Sequence, residues 1–237
     1  MPVLAGVLRA ARALSFDAQR KWAERIFDRM WPATLDTLTA DPIPHAAVAL
    51  ALARTCGLRS VQKRASYELI RMPTFGQTVI TASVAIGKRR DVDTGLGMDE
   101  LPRADLLRLL HAREQLCLAW AEVAGKAPTE FACPRGTQMQ MPPERSGGSS
   151  SSNGGVCASA NVDRVHARWA ELIHTSGLYA QRMVDPLTGL QELVGISWKD
   201  EGFCKKCVAA RKNAWDVLRG RLWDDLDVWL ELSLTAE

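Results

Sequence analysis

The stretch Cys204–Leu230, CKKCVAARKNAWDVLRGRLWDDLDVWL, decides the fold class. At 100° per residue, Cys204, Cys207, Arg211, Trp215, Leu218, Leu222, Leu226 and Trp229 all fall within roughly 60° of one line. That is the pattern of a long amphipathic helix, and the spacing predicts one from about Lys199 to Leu232. Its apolar stripe needs partners, and a pair of thiols sits at its upper end on the same face.

Working back toward the N-terminus, the same periodicity recurs. Val165, Trp169, Leu172 and Ile173 mark a helix from Val162 that ends at Gly177, and Asp185-Pro186 opens a short one running to Val194. Arg103 to Val123 carries Leu106, Leu109, Leu110, Leu116, Cys117, Trp120 and Val123 on one stripe. Val3 to Leu14 reads as a helix, and Ser15 is the expected N-cap of a second one from Phe16 to Met30, closed by Trp31-Pro32. Asp41-Pro42 predicts the start of an alanine-rich buried helix capped by Gly57, and Val61, Ala65 and Leu69 mark another, stopped by Met72-Pro73. The expected fold is all-α, an irregular multi-helix array.

Two regions break the pattern. Val79 to Ile86 is ambiguous between helix and extended chain, with a loop over Gly87 to Gly97. Lys126 to Ala160 holds Cys133-Pro134, Pro142-Pro143 and the Gly/Ser-rich run Ser146 to Gly155, a composition too polar to bury a core. The predicted organisation is a helical region over 1–125, a linker over 126–160 and a C-terminal helical region over 161–237.

Bulk composition excludes several classes. The chain has 237 residues, 47% hydrophobic and 24% charged, with a net charge of +3, which suits a globular core and argues little for nucleic acid. No uninterrupted apolar run is long enough for a membrane helix, and Arg9 and Arg12 interrupt the apolar N-terminus where a signal peptide would need a clean run. Six scattered cysteines do not resemble a secreted disulfide framework, so a cytoplasmic or nuclear location is expected. Eight tryptophans against two tyrosines read as filler of gaps between helices.

Cys204-Lys205-Lys206-Cys207 is the one dense chemical signal. Sulfurs at i and i+3 of a helix start supply half of a tetrahedral zinc site. Cys133 and Cys157, which flank the Gly/Ser-rich run, complete a four-cysteine set, with His166 and His174 as reserve ligands. The competing reading is four packed free thiols. A redox CxxC, with its thiol acidified by Lys205 and Lys206, would need a strand-led βαβ context that the sequence does not offer. Asp91 to Asp99 only faintly resembles a calcium loop, since its turn glycine and terminal carboxylate are misplaced. Lys88-Arg89-Arg90 is too short for a basic signal, and Asp224, Asp225 and Asp227 read as a solvated face. Neither a G-x-S-x-G nor an H-E-x-x-H motif occurs, so no enzyme activity is expected.

Three stretches are similar to the helical region downstream of the BTB fold in BTB/POZ-domain proteins of basidiomycete fungi. They are LAGVLRAARALSFDAQRKWAERIFDRMW (4–31), AAVALALARTCGLRSVQKRASYELIRMPTF (46–75) and RWAELIHTSGLYAQRMVDPLTGLQEL (168–193) followed by CKKC and WDVLRGRLWDDLDVWL. The resemblance implies a non-catalytic protein–protein interaction module with an unspecified protein partner. The BTB fold itself, which dimerises and recruits cullin ligases or co-repressors in that family, is not expected, because no β-rich stretch of domain size is legible. A nucleic-acid-associated transcriptional regulator, using the basic residues between Lys205 and Lys212, is the alternative.

Overall fold

In the computed structural model, residues 2–75, 101–128, 133 and 157–232 are described, and all their regular structure is helical. The ambiguous 79–86 stretch, the Asp91–Asp99 loop, Lys88–Arg90 and the Gly/Ser-rich run lie outside these residues. We number the helices α1 (Pro2–Ala13), α2 (Asp17–Met30), α3 (Ala46–Cys56), α4 (Arg59–Ile70), α5 (Arg103–Gly125), α6 (Val162–Trp169), α7 (Leu178–Gln181), α8 (Pro186–Gly195) and α9 (Lys205–Trp229). By contact, Met1–Leu116 with Leu222–Glu237 form one unit and Cys117–Arg221 another. No helix among the described residues is long and apolar enough to cross a membrane.

In the first unit, α1 and α2 form a hairpin that buries Ala5, Leu8 and Ala11 with Ala23 and Phe27. Ser15 is not the N-cap. It takes a left-handed conformation (φ 56°) in the tight turn, and Phe16 occupies the cap position without a side-chain bond. The alanine-rich α3 is buried along most of its length, and Gly57 at φ 71° closes it, donating to Arg54 O while Leu58 donates to Ala53 O. It begins at Ala46 rather than at Pro42, because Pro44 holds Ile43 out of the helical region and a turn intervenes.

Helix α4 is buried on nearly every side although half its residues are polar. The reason is a buried ion triad. Glu68, fully buried, accepts from Arg64 Nε at 2.8 Å and from Arg71 Nη2 at 2.7 Å. It also accepts from the Ile43 backbone N–H at 2.9 Å. Both guanidinium groups then reach into the irregular connection between α2 and α3. Arg64 donates to Pro32 O and Thr37 O, and Arg71 to Thr39 O and Asp41 O. These carbonyls have no helix or sheet to satisfy them, so the arginines stand in for secondary structure. On another side of α4, Lys63 Nζ lies 2.8 Å from Asp227 and 4.9 Å from the Trp223 ring centroid, with Trp223 edge-on to Tyr67. Asp227 is therefore half of an ion pair rather than merely part of a solvated face.

In α5 the buried row is Asp105, Leu109, Ala112, Leu116, Trp120 and Ala124, a strict three-and-four spacing. Leu110, placed on the apolar stripe by its sequence, faces solvent instead, because buried Asp105 sets the register through ion pairs to Arg54 and Arg108.

In the second unit the tryptophans are the core, as their number suggested. Trp169, Trp198 and Trp215 stack on one another with centroids 5.4 to 6.1 Å apart, and Phe203 meets Trp198 edge-on. Each buried indole N–H that matters here finds a carbonyl: Trp120 bonds to Tyr179, Trp169 to Ala124 and Trp198 to Leu193. Helix α6 runs into a wider π turn over Ala170–Thr175 before Gly177 (φ 84°) stops it. Gly189 on α8 lies flat against Trp120, and a Cβ there would come within 2.6 Å of the indole ring. Gly189→Ala is therefore expected to destabilise the unit by about 1–3 kcal/mol, as overpacking does. Urea unfolding measures this, and an unchanged midpoint would contradict the packing described.

Candidate metal centre

Four cysteines from three separate stretches of sequence meet in the second unit. Helix α9 starts later than its sequence periodicity predicts, at Lys205, because the preceding residues form a turn. Asp200 N–H bonds to Ser197 O, Gly202 N–H to Lys199 O, and Phe203 N–H to Trp198 O. Gly202 sits at φ 87°, where a side chain would also press on Arg164. This turn delivers Cys204 immediately before the helix and Cys207 in its first turn. Cys157 arrives on the other side, just ahead of a short 3₁₀ turn, Ala158–Ala160. The two ligand segments are tied directly: Ala158 N–H donates to Gly202 O at 2.9 Å, and Cys204 N–H donates to the Cys157 sulfur at 3.2 Å. Cys133 completes the group.

All four sulfurs lie within 4.8 Å of one another. Cys133 Sγ is 3.8 Å from Cys204 Sγ, and Cys157 Sγ is 4.0 Å from Cys207 Sγ. These separations are far beyond a disulfide bond of about 2.05 Å. They match a tetrahedron instead: four sulfurs about 2.3 Å from one ion stand about 3.8 Å apart along each edge. The cluster is therefore compatible with a metal site. Cys133, Cys157 and Cys207 are buried, and Cys204 is half-buried. His166 and His174 are not part of the group. His166 is exposed on α6, and His174 packs its ring on Tyr179 at 5.1 Å. The remaining cysteines, Cys56 and Cys117, are half-buried and lie outside the cluster.

The surroundings treat the sulfurs unequally, favouring negative charge on Cys157 and opposing it on Cys207. Arg211, one turn below Cys207 on the same face of α9, is buried with its guanidinium 4.6 Å from the Phe203 ring centroid. It donates to Pro128 O at 3.0 Å and to Ser159 Oγ at 3.4 Å. Burial lowers its pKa, while the nearby Cys207 and Cys157 sulfurs hold it up. Among the thiols, burial opposes ionisation of Cys157. The backbone N–H of Cys204 and the hydrogen bonds from Ser159 outweigh it, bringing the pKa down to about 7. Cys207 is pushed up to about 12, first by burial and then by the neighbouring sulfurs. Without a metal the cluster thus favours a thiolate at Cys157 near neutrality and resists one at Cys207. A divalent ion removes that resistance, since its charge replaces the protons.

The sequence pattern pointed to the four cysteines that meet here but not to Arg211 as their charged neighbour. The i+4 spacing from Cys207 to Arg211 was the available signal. Comparison with protein-family models, curated proteins and solved structures gives no match to this chain.

Proposed function

We propose that the chain is a non-catalytic, zinc-stapled helical module that binds another protein. The observation carrying the metal half is the four-sulfur cluster, all within 4.8 Å of one another, with two of its separations, 3.8 and 4.0 Å, close to a tetrahedral edge. Four protein thiolates fill a zinc coordination sphere and leave no position for water or substrate, which is the mark of a structural rather than a catalytic site. Iron is the other metal that a four-sulfur tetrahedron takes, and elemental analysis separates the two.

The binding half rests on the α1–α2 hairpin. Trp22, Ile26 and Met30 follow one another at i, i+4 and i+8 along α2, with Trp22 50% and Met30 42% exposed. Phe16 at the start of the helix is similarly open, and Lys21, Arg25 and Arg29 flank the ridge. A solvent-facing apolar ridge of this kind is what an acidic, amphipathic partner helix would cover. The likeness of 4–31 to the helices after a BTB fold supports the same reading. Trp22→Glu is expected to leave zinc content and melting unchanged while abolishing retention of proteins that the unaltered chain holds in affinity purification from its native cells. An identical set of retained proteins would overturn the binding half, whatever the metal content.

A further inference from the structure

One sulfur of the cluster differs from the other three. Cys133, Cys157 and Cys207 are each less than a tenth exposed, whereas Cys204 is only partly buried. It contributes to the wall of an open cleft of about 380 Å³, whose other walls are Lys199, Phe203, Lys205 and Lys206. The three lysines are exposed, and no carboxylate is among these lining residues. Of the two acids in the turn, Glu201 is engaged by Arg168 at 3.4 Å, and exposed Asp200 is not among the residues lining the cleft. Cys204 is thus the one partly exposed cysteine of the four, and it lies beside a lysine-lined recess large enough for a small molecule.

We propose that Cys204 is a thiol-exchange site and that its lysine-walled cleft admits small anionic disulfides; release of zinc through it rests on the zinc reading above. The chemistry balances with the disulfide as the oxidant. The Cys204 thiolate attacks one sulfur of the incoming disulfide, whose S–S bond breaks, and one half leaves as a thiolate. Cys204 now carries the other half as a mixed disulfide. Cys133, with its sulfur 3.8 Å from that of Cys204, then attacks Cys204 and expels the second half as a thiolate. Cys133 and Cys204 have together lost two electrons, and the small disulfide has gained them as two thiols. With half of its ligands gone, the metal leaves the remaining Cys157 and Cys207. Charge selects the reagent, because lysines around the entrance raise the local concentration of anions.

The test uses the full chain as purified, with its zinc content measured at the outset. It is exposed to equal concentrations of glutathione disulfide, which is net anionic, and cystamine, which is cationic. Zinc release is followed with a chromophoric chelator, and the first adduct is located by mass spectrometry after alkylation. The first adduct is expected on Cys204, with the anionic disulfide reacting about tenfold faster at low ionic strength and the difference shrinking as salt is added. Reversing the charges with Lys199→Glu, Lys205→Glu and Lys206→Glu together is expected to reverse the preference. Should that variant misfold by circular dichroism, the salt dependence of the unaltered chain decides alone. A first adduct on Cys133, Cys157 or Cys207, or rates indifferent to disulfide charge and salt, overturns the proposal. Starting zinc well below one ion per chain overturns the zinc reading instead, and the position of the first adduct is still read on the same sample.

Discussion

Cys207→Ser is expected to abolish the cooperative melting of the second unit, and an excess of a strong zinc chelator is expected to do the same to the unaltered chain. Cys207 is the most deeply constrained member of the set, inside the first turn of α9 and beside buried Arg211. The cluster joins segments that otherwise meet through few backbone bonds, chiefly Ala158 to Gly202 and Cys204 to the Cys157 sulfur. Binding free energy at such a site is folding free energy, apparently on the order of 10 kcal/mol, comparable to the whole stability of a domain. Losing the metal also leaves Arg211 beside Cys207, whose thiol resists ionisation. The effect has a pH signature. Protons compete with the metal for the sulfurs, so zinc affinity is expected to rise with pH and to fall as pH drops through about 7, where Cys157 regains its proton. Scanning calorimetry with and without chelator, repeated across pH, measures both effects. A melting profile insensitive to chelator and to Cys207→Ser would mean that the thiols are merely packed.

Glu68→Gln is expected to cost the first unit about 3–5 kcal/mol, because it leaves two buried guanidinium groups facing a neutral amide. Arg64 and Arg71 each hold carbonyls of the connection between α2 and α3, so the damage spreads from α4 into that connection. The amide keeps one acceptor oxygen, so its NH2 must face either Arg64 Nε or the site shared by Arg71 and the Ile43 N–H. Truncating one member of a buried triad is far more harmful than replacing the whole by apolar residues. The triple replacement Arg64→Met, Glu68→Leu, Arg71→Met therefore separates electrostatics from packing. It is expected to recover part of the stability lost in Glu68→Gln, though not the carbonyl bonds. Denaturant titration of the three proteins gives the comparison. A Glu68→Gln midpoint equal to that of the unaltered chain would refute the keystone role assigned to the triad.

The helical class and the inward-facing pair Cys204 and Cys207 were legible in sequence for the same reason: both are written in a period of 3.6 residues. Cys204 and Cys207 share a face with Trp215, Leu222 and Leu226, and that spacing alone aims the thiols inward. Cys133 and Cys157 were legible as candidates by residue type, but their convergence depends on the Gly202 turn and the Ala158 bond, which no local pattern shows. The triad in α4 escaped for the opposite reason. Arg64, Glu68 and Arg71 look like a solvated face under any rule that puts charge outside, and only their mutual i, i+4 and i+7 spacing hinted at pairing. Asp105 misled the reading of α5 in the same way, turning Leu110 outward. At Ser15 the competing factor was turn geometry, since a residue that would cap a helix was needed in the left-handed bend before it.

The proposed centre holds one zinc ion among Cys133, Cys157, Cys204 and Cys207. Zinc-edge X-ray absorption on the purified chain tests it most directly. Four sulfur neighbours at about 2.3 Å are the predicted result. Nitrogen or oxygen neighbours in the first shell, or too little zinc in the sample to give one ion per chain, would contradict it.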